Sequence, residues 1–155
     1  DEFNNKAISK KSMSPGFTVG TAIIPLRIRS NPFAFSGEFS FGTTFGARFP
    51  ISPYRDMAVN TVVGLHLTNA TLDSLDTKGA IKTTQTEKEP ALTTTLGVIF
   101  EFSKAQVGLY MGWDFISGKY KDDWVYQSKP WLSVGVGASL FSYRNSGGKV
   151  KIKHE

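Results

Sequence analysis

Over residues 33–49 the chain alternates large apolar residues with small or polar ones. Phe33, Phe35, Phe39, Phe41, Phe45 and Phe49 share one register, while Ala34, Ser36, Glu38, Ser40, Gly42, Thr44, Gly46 and Arg48 fill the other. A period of two puts successive side chains on opposite faces of an extended strand. At about 3.3 Å per residue, this run exceeds the usual strand of a soluble sheet and is long enough to cross a bilayer at a tilt. Five further strands can be read from the same pattern, over residues 16–30, 57–68, 91–102, 105–116 and 131–143. In the first of them Ile23, Ile24, Leu26 and Ile28 blur the alternation, and Pro25 implies an edge or a bulge.

The two faces differ in a way that bears on their surroundings. One carries Phe39, Phe41, Val63, Leu65, Val98, Phe100, Leu109, Met111, Val134 and Val136; the other is mostly Gly, Ser, Ala and Thr with isolated Glu38, Arg48, His66, Glu101 and Asp114. A soluble sheet normally presents a lysine- and glutamate-rich face to water. Here lysine is missing from all six strands and sits in the tails and connections. A face of small residues suits the crowded interior of a narrow barrel, where a few charges pair across the middle. The expected fold is therefore all-β: an antiparallel up-and-down transmembrane β-barrel with Phe39, Phe41, Val98, Leu109 and Val136 toward lipid. Inside it, Glu38, Arg48, His66, Glu101 and Asp114 are expected to form a charge network, with Arg27 and Arg29 as further partners and His66 bonded to Glu101 or Asp114. Tyr54, Trp113, Trp131 and Tyr143 lie near strand ends, where interfacial aromatics belong.

The connections add a test of parity. Residues 69–90 and 117–130 are long links that fall on the same end of an up-and-down sheet, while 103–104 is a tight turn on the other. Outer-membrane barrels have long extracellular loops and short periplasmic turns. The long loops are thus the expected contact surfaces.

Composition is compatible with this picture. The 155 residues include 15 Gly, 12 Phe and no Cys, which removes disulfides and thiolate metal sites from consideration. No apolar run approaches the roughly 18 residues of a membrane-spanning helix. Residues 1–6 have no apolar leader core, which fits an exported protein only after processing. The net charge of +5 is concentrated in the tails, as in Lys149-Val150-Lys151-Ile152-Lys153, and no basic strand face interleaves with aromatics, so nucleic acid is not an expected partner. Two histidines and no cysteine leave no expected metal site or cofactor, and no nucleophile-base-acid spacing points to an enzyme.

In its Phe/Gly-rich run at residues 33–49, together with Gly108-Leu109-Tyr110-Met111-Gly112-Trp113, the chain resembles bacterial outer-membrane β-barrel proteins of the Bacteroidota. The resemblance covers residues 16–143 and implies a location in the bacterial outer membrane. Two departures stand out. Small members of that class have eight or more strands against six read here, and many end in an aromatic residue, whereas this sequence ends Lys153-His154-Glu155. Two extra strands, over residues 80–86 and 150–154, or a second chain are then expected to complete the sheet. The domain reading is a periplasmic tail over 1–15, a barrel over 16–143 and a basic tail over 144–155. The functional expectation is a non-enzymatic structural, adhesive or accessory subunit of an envelope complex. Its expected partners are membrane lipid, lipopolysaccharide and other proteins; a porin-like channel subunit and a soluble lipocalin-like barrel binding an apolar ligand are the alternatives.

Overall fold

A computed structural model describes residues 15–30, 32–52, 55–82, 84–103 and 105–144. They form one antiparallel sheet of eight strands with no helix: β1 (Gly16–Ile24), β2 (Arg27–Ser30), β3 (Phe33–Ser36), β4 (Ser40–Pro50), β5 (Met57–Leu72), β6 (Glu87–Phe102), β7 (Ala105–Ile116) and β8 (Pro130–Arg144). The eight segments are six continuous runs, because β2 carries on along β8 from where β1 leaves it, and β3 leads directly into β4. β1 pairs with β4 on one side and with β8 on the other, so the hydrogen-bonded ladder β1-β4-β5-β6-β7-β8 returns to β1. Closure thus joins the first and last runs without a second chain. The described residues of 80–86 form bends, turn and coil before β6 and add no strand, and residues 150–154 lie outside the described residues.

Each long strand shows the alternation as burial. In β7, residues Gln106, Gly108, Tyr110, Gly112 and Asp114 are buried while Val107, Leu109, Met111 and Phe115 are exposed. The first run shows why its pattern looks blurred. Thr18, Ala22 and Ile24 point inward, and so do Arg27 and Arg29, a change of parity across Pro25-Leu26. One extra residue at a bulge flips every following side chain to the other face. Pro25 suits the spot, since it has no N–H to give to a ladder.

The enclosed space is filled in its middle by side chains. Tyr110, Trp131, Val62, Ile99, Ala22 and Ile24 form a buried cluster. The large rings fit because glycine stands directly across the ladder: Tyr110 faces Gly97 and Trp131 faces Gly112. A Cβ on Gly97 would lie 2.8 Å from the Tyr110 ring. Gly97→Ala is therefore expected to lower stability by about 1–3 kcal/mol through overpacking. Urea midpoints should show Gly97→Ala combined with Tyr110→Leu costing less than the two single changes added, because the smaller side chain removes the clash.

One end of the sheet carries the short connections. Residues 51–56 link β4 to β5, and the turn after β6 has Ser103 at a φ of 61°, the left-handed conformation that tight hairpins require. The other end carries residues 73–86 and 117–129, which fold onto each other. Val125 donates its N–H to the Asp76 carbonyl at 2.8 Å, and Tyr120, Trp124, Tyr126 and Ile81 pack with Ala70, Leu72, Ala91 and Ile116 into a second buried apolar cluster.

Candidate functional site

Beneath these loops lies a cluster of four ionisable side chains from β2, the segment after β3, and β7. Arg29 donates from Nη2 to Glu38 Oε2 at 2.9 Å and to Asp114 Oδ2 at 2.8 Å. Arg27 donates to Glu38 through Nη1 and to Ser40 Oγ through Nη2 at 3.0 Å, and it lies 3.4 Å from Asp114 Oδ2. Thr93 donates to Asp114 Oδ1 at 2.6 Å. Two guanidiniums and two carboxylates balance in charge, which is the condition for holding ions out of water. Both arginines also stack on aromatic rings: Arg27 over Trp131 at 5.0 Å, and Arg29 over Tyr126 at 4.8 Å and Trp124 at 5.4 Å. Glu38 has a further task, because its Oε1 accepts the backbone N–H of Thr71 at 3.1 Å.

A second cluster lies toward the short-turn end. Glu101 accepts from Arg48 Nε at 2.8 Å, from Asn60 Nδ2 at 2.8 Å and from Gln106 Nε2 at 3.2 Å. Arg48 also reaches Asp56 Oδ1 at 3.3 Å, at the mouth of the structure. In β7, Gln106 of this cluster and Asp114 of the other are about eight residues, or roughly 26 Å, apart along the strand. The single network expected from the sequence is therefore two separate clusters, divided by the Tyr110 and Trp131 layer.

His66 belongs to neither. Its Nε2 lies 3.1 Å from Thr95 Oγ1, and not against Glu101 or Asp114. The cause is register. His66 stands opposite Thr93 on β6, far along that strand from Glu101, and the Asp114 carboxylate is already held by Arg29 and Thr93. The imidazole lies over glycines, since a Cβ on Gly64 would come within 2.6 Å of Nε2 and one on Gly42 within 2.7 Å of Cγ.

The opposite face inverts the usual distribution of polarity. Phe39, Phe41, Val98, Leu109 and Val136 are all exposed, with Phe39 at 72% and Leu109 at 66%. Trp113 is half-buried on the same outward register, and Tyr143 is exposed. Trp131 corrects the expectation of an interfacial aromatic: it is 1% exposed, inside the sheet under Arg27. Its register, shared with Ser133 and Gly135, already points it inward. Tyr54 lies outside the described residues.

Sequence reasoning missed Asn60, Gln106 and Thr93 as partners of the buried carboxylates, although each sits on the small-residue register. Nor did it single out Tyr120, Trp124 and Tyr126, which belong to the buried loop cluster, with Trp124 and Tyr126 stacked on Arg29. In this cap Asp76 has a pKa raised to about 6, by burial first and by the neighbouring Asp73 carboxylate second. A carboxyl that holds its proton more tightly when folded contributes stability below its raised pKa that is lost as pH rises from about 4 to about 6. Hydrogen exchange at the Val125 N–H is thus expected to be slower at pH 5 than at pH 7 once corrected for the intrinsic rate. Asp76→Asn should flatten that difference.

Among the described residues no group of three His, Cys, Asp or Glu is arranged to hold a metal ion. No family model matches the chain, and comparison with curated proteins and with solved structures finds no match to it.

Proposed function

We propose that the chain is a small β-barrel of the bacterial outer membrane that serves as a structural, adhesive or accessory subunit of an envelope complex through its long loops. The observation that carries this reading is the inversion of burial. Among the described residues thirty large apolar side chains are exposed, while Arg27, Arg29, Arg48, Glu101 and Asp114 are almost fully enclosed. Water on the outer face would leave an apolar surface far larger than soluble monomers tolerate, whereas hydrocarbon would cover it. On β5 the outward apolar positions run from Met57 to Leu67 with Thr61 between them. Those roughly ten residues, at about 3.4 Å each and a tilt of about 40°, span about 26 Å, close to the apolar band of such barrels. Lipid, including lipopolysaccharide on the loop side, is then the first partner, and envelope proteins are the second.

The plug of Tyr110, Trp131, Val62 and Ile99 argues against the channel alternative, because it fills the space a solute would cross. Exposure of the phenylalanine face argues against a lipocalin-like cavity, which would need that face inside. Phase partitioning is the test. The full chain is expected to enter a nonionic detergent phase and to insert into lipid vesicles, with a β-rich circular dichroism spectrum and no porin-sized conductance. A monomer that stays folded and soluble in plain buffer would overturn the reading.

A further inference from the structure

The closed ladder has a breach at the loop end. β4 pairs with β5 only as far as Ser40 opposite Thr68, and beyond this the segment β3 turns away and pairs with β2 alone. The continuation of β5, from Asn69 to Leu72, pairs only with β6. Two strand edges thus face each other across a cleft of about 710 Å³. The Glu38 carboxylate reaches across the gap by accepting the Thr71 N–H, and at its inner end the Thr68 hydroxyl donates to the Phe39 carbonyl. Every second residue of an edge strand directs its N–H and C=O outward, so β3 offers an unused template for pairing.

Two further features point to an occupant. Phe33 and Phe35 are 70% and 63% exposed on β3 and pack edge to face at 5.2 Å, and Leu75 on the far wall is also exposed. Of the charged groups lining the cleft, Arg29 and Glu38 belong to the balanced cluster, where Arg27 also pairs with Glu38, which leaves the carboxylates of Asp73 and Asp76 to set the sign of its charge. Arg29 is already engaged by Glu38 and Asp114. A second copy of this chain would bring its own acidic cleft against this one, and like charges at close quarters repel.

We propose that this cleft is a strand-addition site that takes an extended, basic and apolar segment of a partner protein as an extra strand on β3. Main-chain hydrogen bonds to the edge would give the affinity, Phe33, Phe35 and Leu75 would receive alternate apolar side chains, and Asp73 and Asp76 would select lysine or arginine. The site gives chemical content to the accessory role but stands on the strand pairing, so it can fail while the membrane reading holds.

The test uses the full chain in detergent micelles and three labelled peptides: valine alternating with lysine, valine alternating with glutamate, and the lysine peptide with a central proline. Fluorescence anisotropy should show the lysine peptide binding about tenfold or more tighter than either of the others. Hydrogen exchange should slow at alternate residues of 33–36 only when that peptide is present. Asp73→Asn with Asp76→Asn, which keeps an oxygen for the turn at Asp73, should weaken binding while exchange in β5 to β7 stays unchanged. Equal binding of all three peptides, no binding by any, or protection of β3 that grows with protein concentration without peptide would each overturn the proposal. The last outcome would assign the edge to a second copy. Vesicle insertion measured on the same preparation tests the membrane reading independently.

Discussion

Replacing Asp114 with alanine is expected to lower the unfolding free energy by about 3–5 kcal/mol, the cost of leaving a buried ion pair half made. Asp114 is fully buried and holds Arg29 at 2.8 Å, with Arg27 at 3.4 Å and the Thr93 hydroxyl at 2.6 Å. Its loss leaves two guanidiniums sharing Glu38 alone. The stacking of Arg29 on Tyr126 and Trp124 is expected to loosen with it, so the loop cap should open too. Adding Arg29→Met restores the charge balance, with Arg27 against Glu38, and is expected to recover a large part of the stability. Urea titrations of the variants in the same detergent measure this. Equal destabilisation by the single and the double variant would show that shape, and not charge, sets the cost.

That cluster also shows how far the residues alone could lead. The alternation at 33–49 made the faces of β4 legible, and with them the inward placement of Arg48 and Glu38. Arg27 and Arg29 were expected as partners of the carboxylates and do pair with Glu38 and Asp114, but the alternation alone does not place them. Their positions depend on the extra residue at Pro25-Leu26, and a period-two pattern continued from Ile24 would put both arginines outside. Periodicity registers a bulge only as noise, and here it was Pro25 that marked the place. The pairing of β1 with β8 was out of reach for a different reason: it joins the two ends of the chain, and contact between elements so far apart leaves no local signature. Six runs looked too few to close, yet the glycines opposite Tyr110 and Trp131 let large rings lie across a narrow interior. The cap was illegible for a third reason. Residues 73–86 and 117–129 contain mostly polar residues, and their apolar contribution comes from a few scattered side chains that meet only after both loops fold.

The outward face carries the other large expectation, which separates hydrocarbon from water as its surroundings. Leu109 lies opposite Val98 on one side and Val134 on the other, near the middle of the exposed apolar band. Arginine at this position is expected to cost about 2–4 kcal/mol in lipid vesicles, as befits a cation near the bilayer midplane. Phe39→Arg sits where the band gives way to Asn69 and the loops, and there the cost should fall to about 0–1 kcal/mol, because the longer side chain reaches the headgroups. Depth is the variable that matters, since both positions are more than 60% exposed and both lose a large apolar side chain. In water the order would differ: either arginine would be solvated, the two costs would be similar, and solubility would improve. Unfolding the two variants side by side in vesicles therefore tests the surroundings of the face and not merely its packing, and a gradient of cost from Leu109 to Phe39 is the result that a membrane-spanning sheet requires.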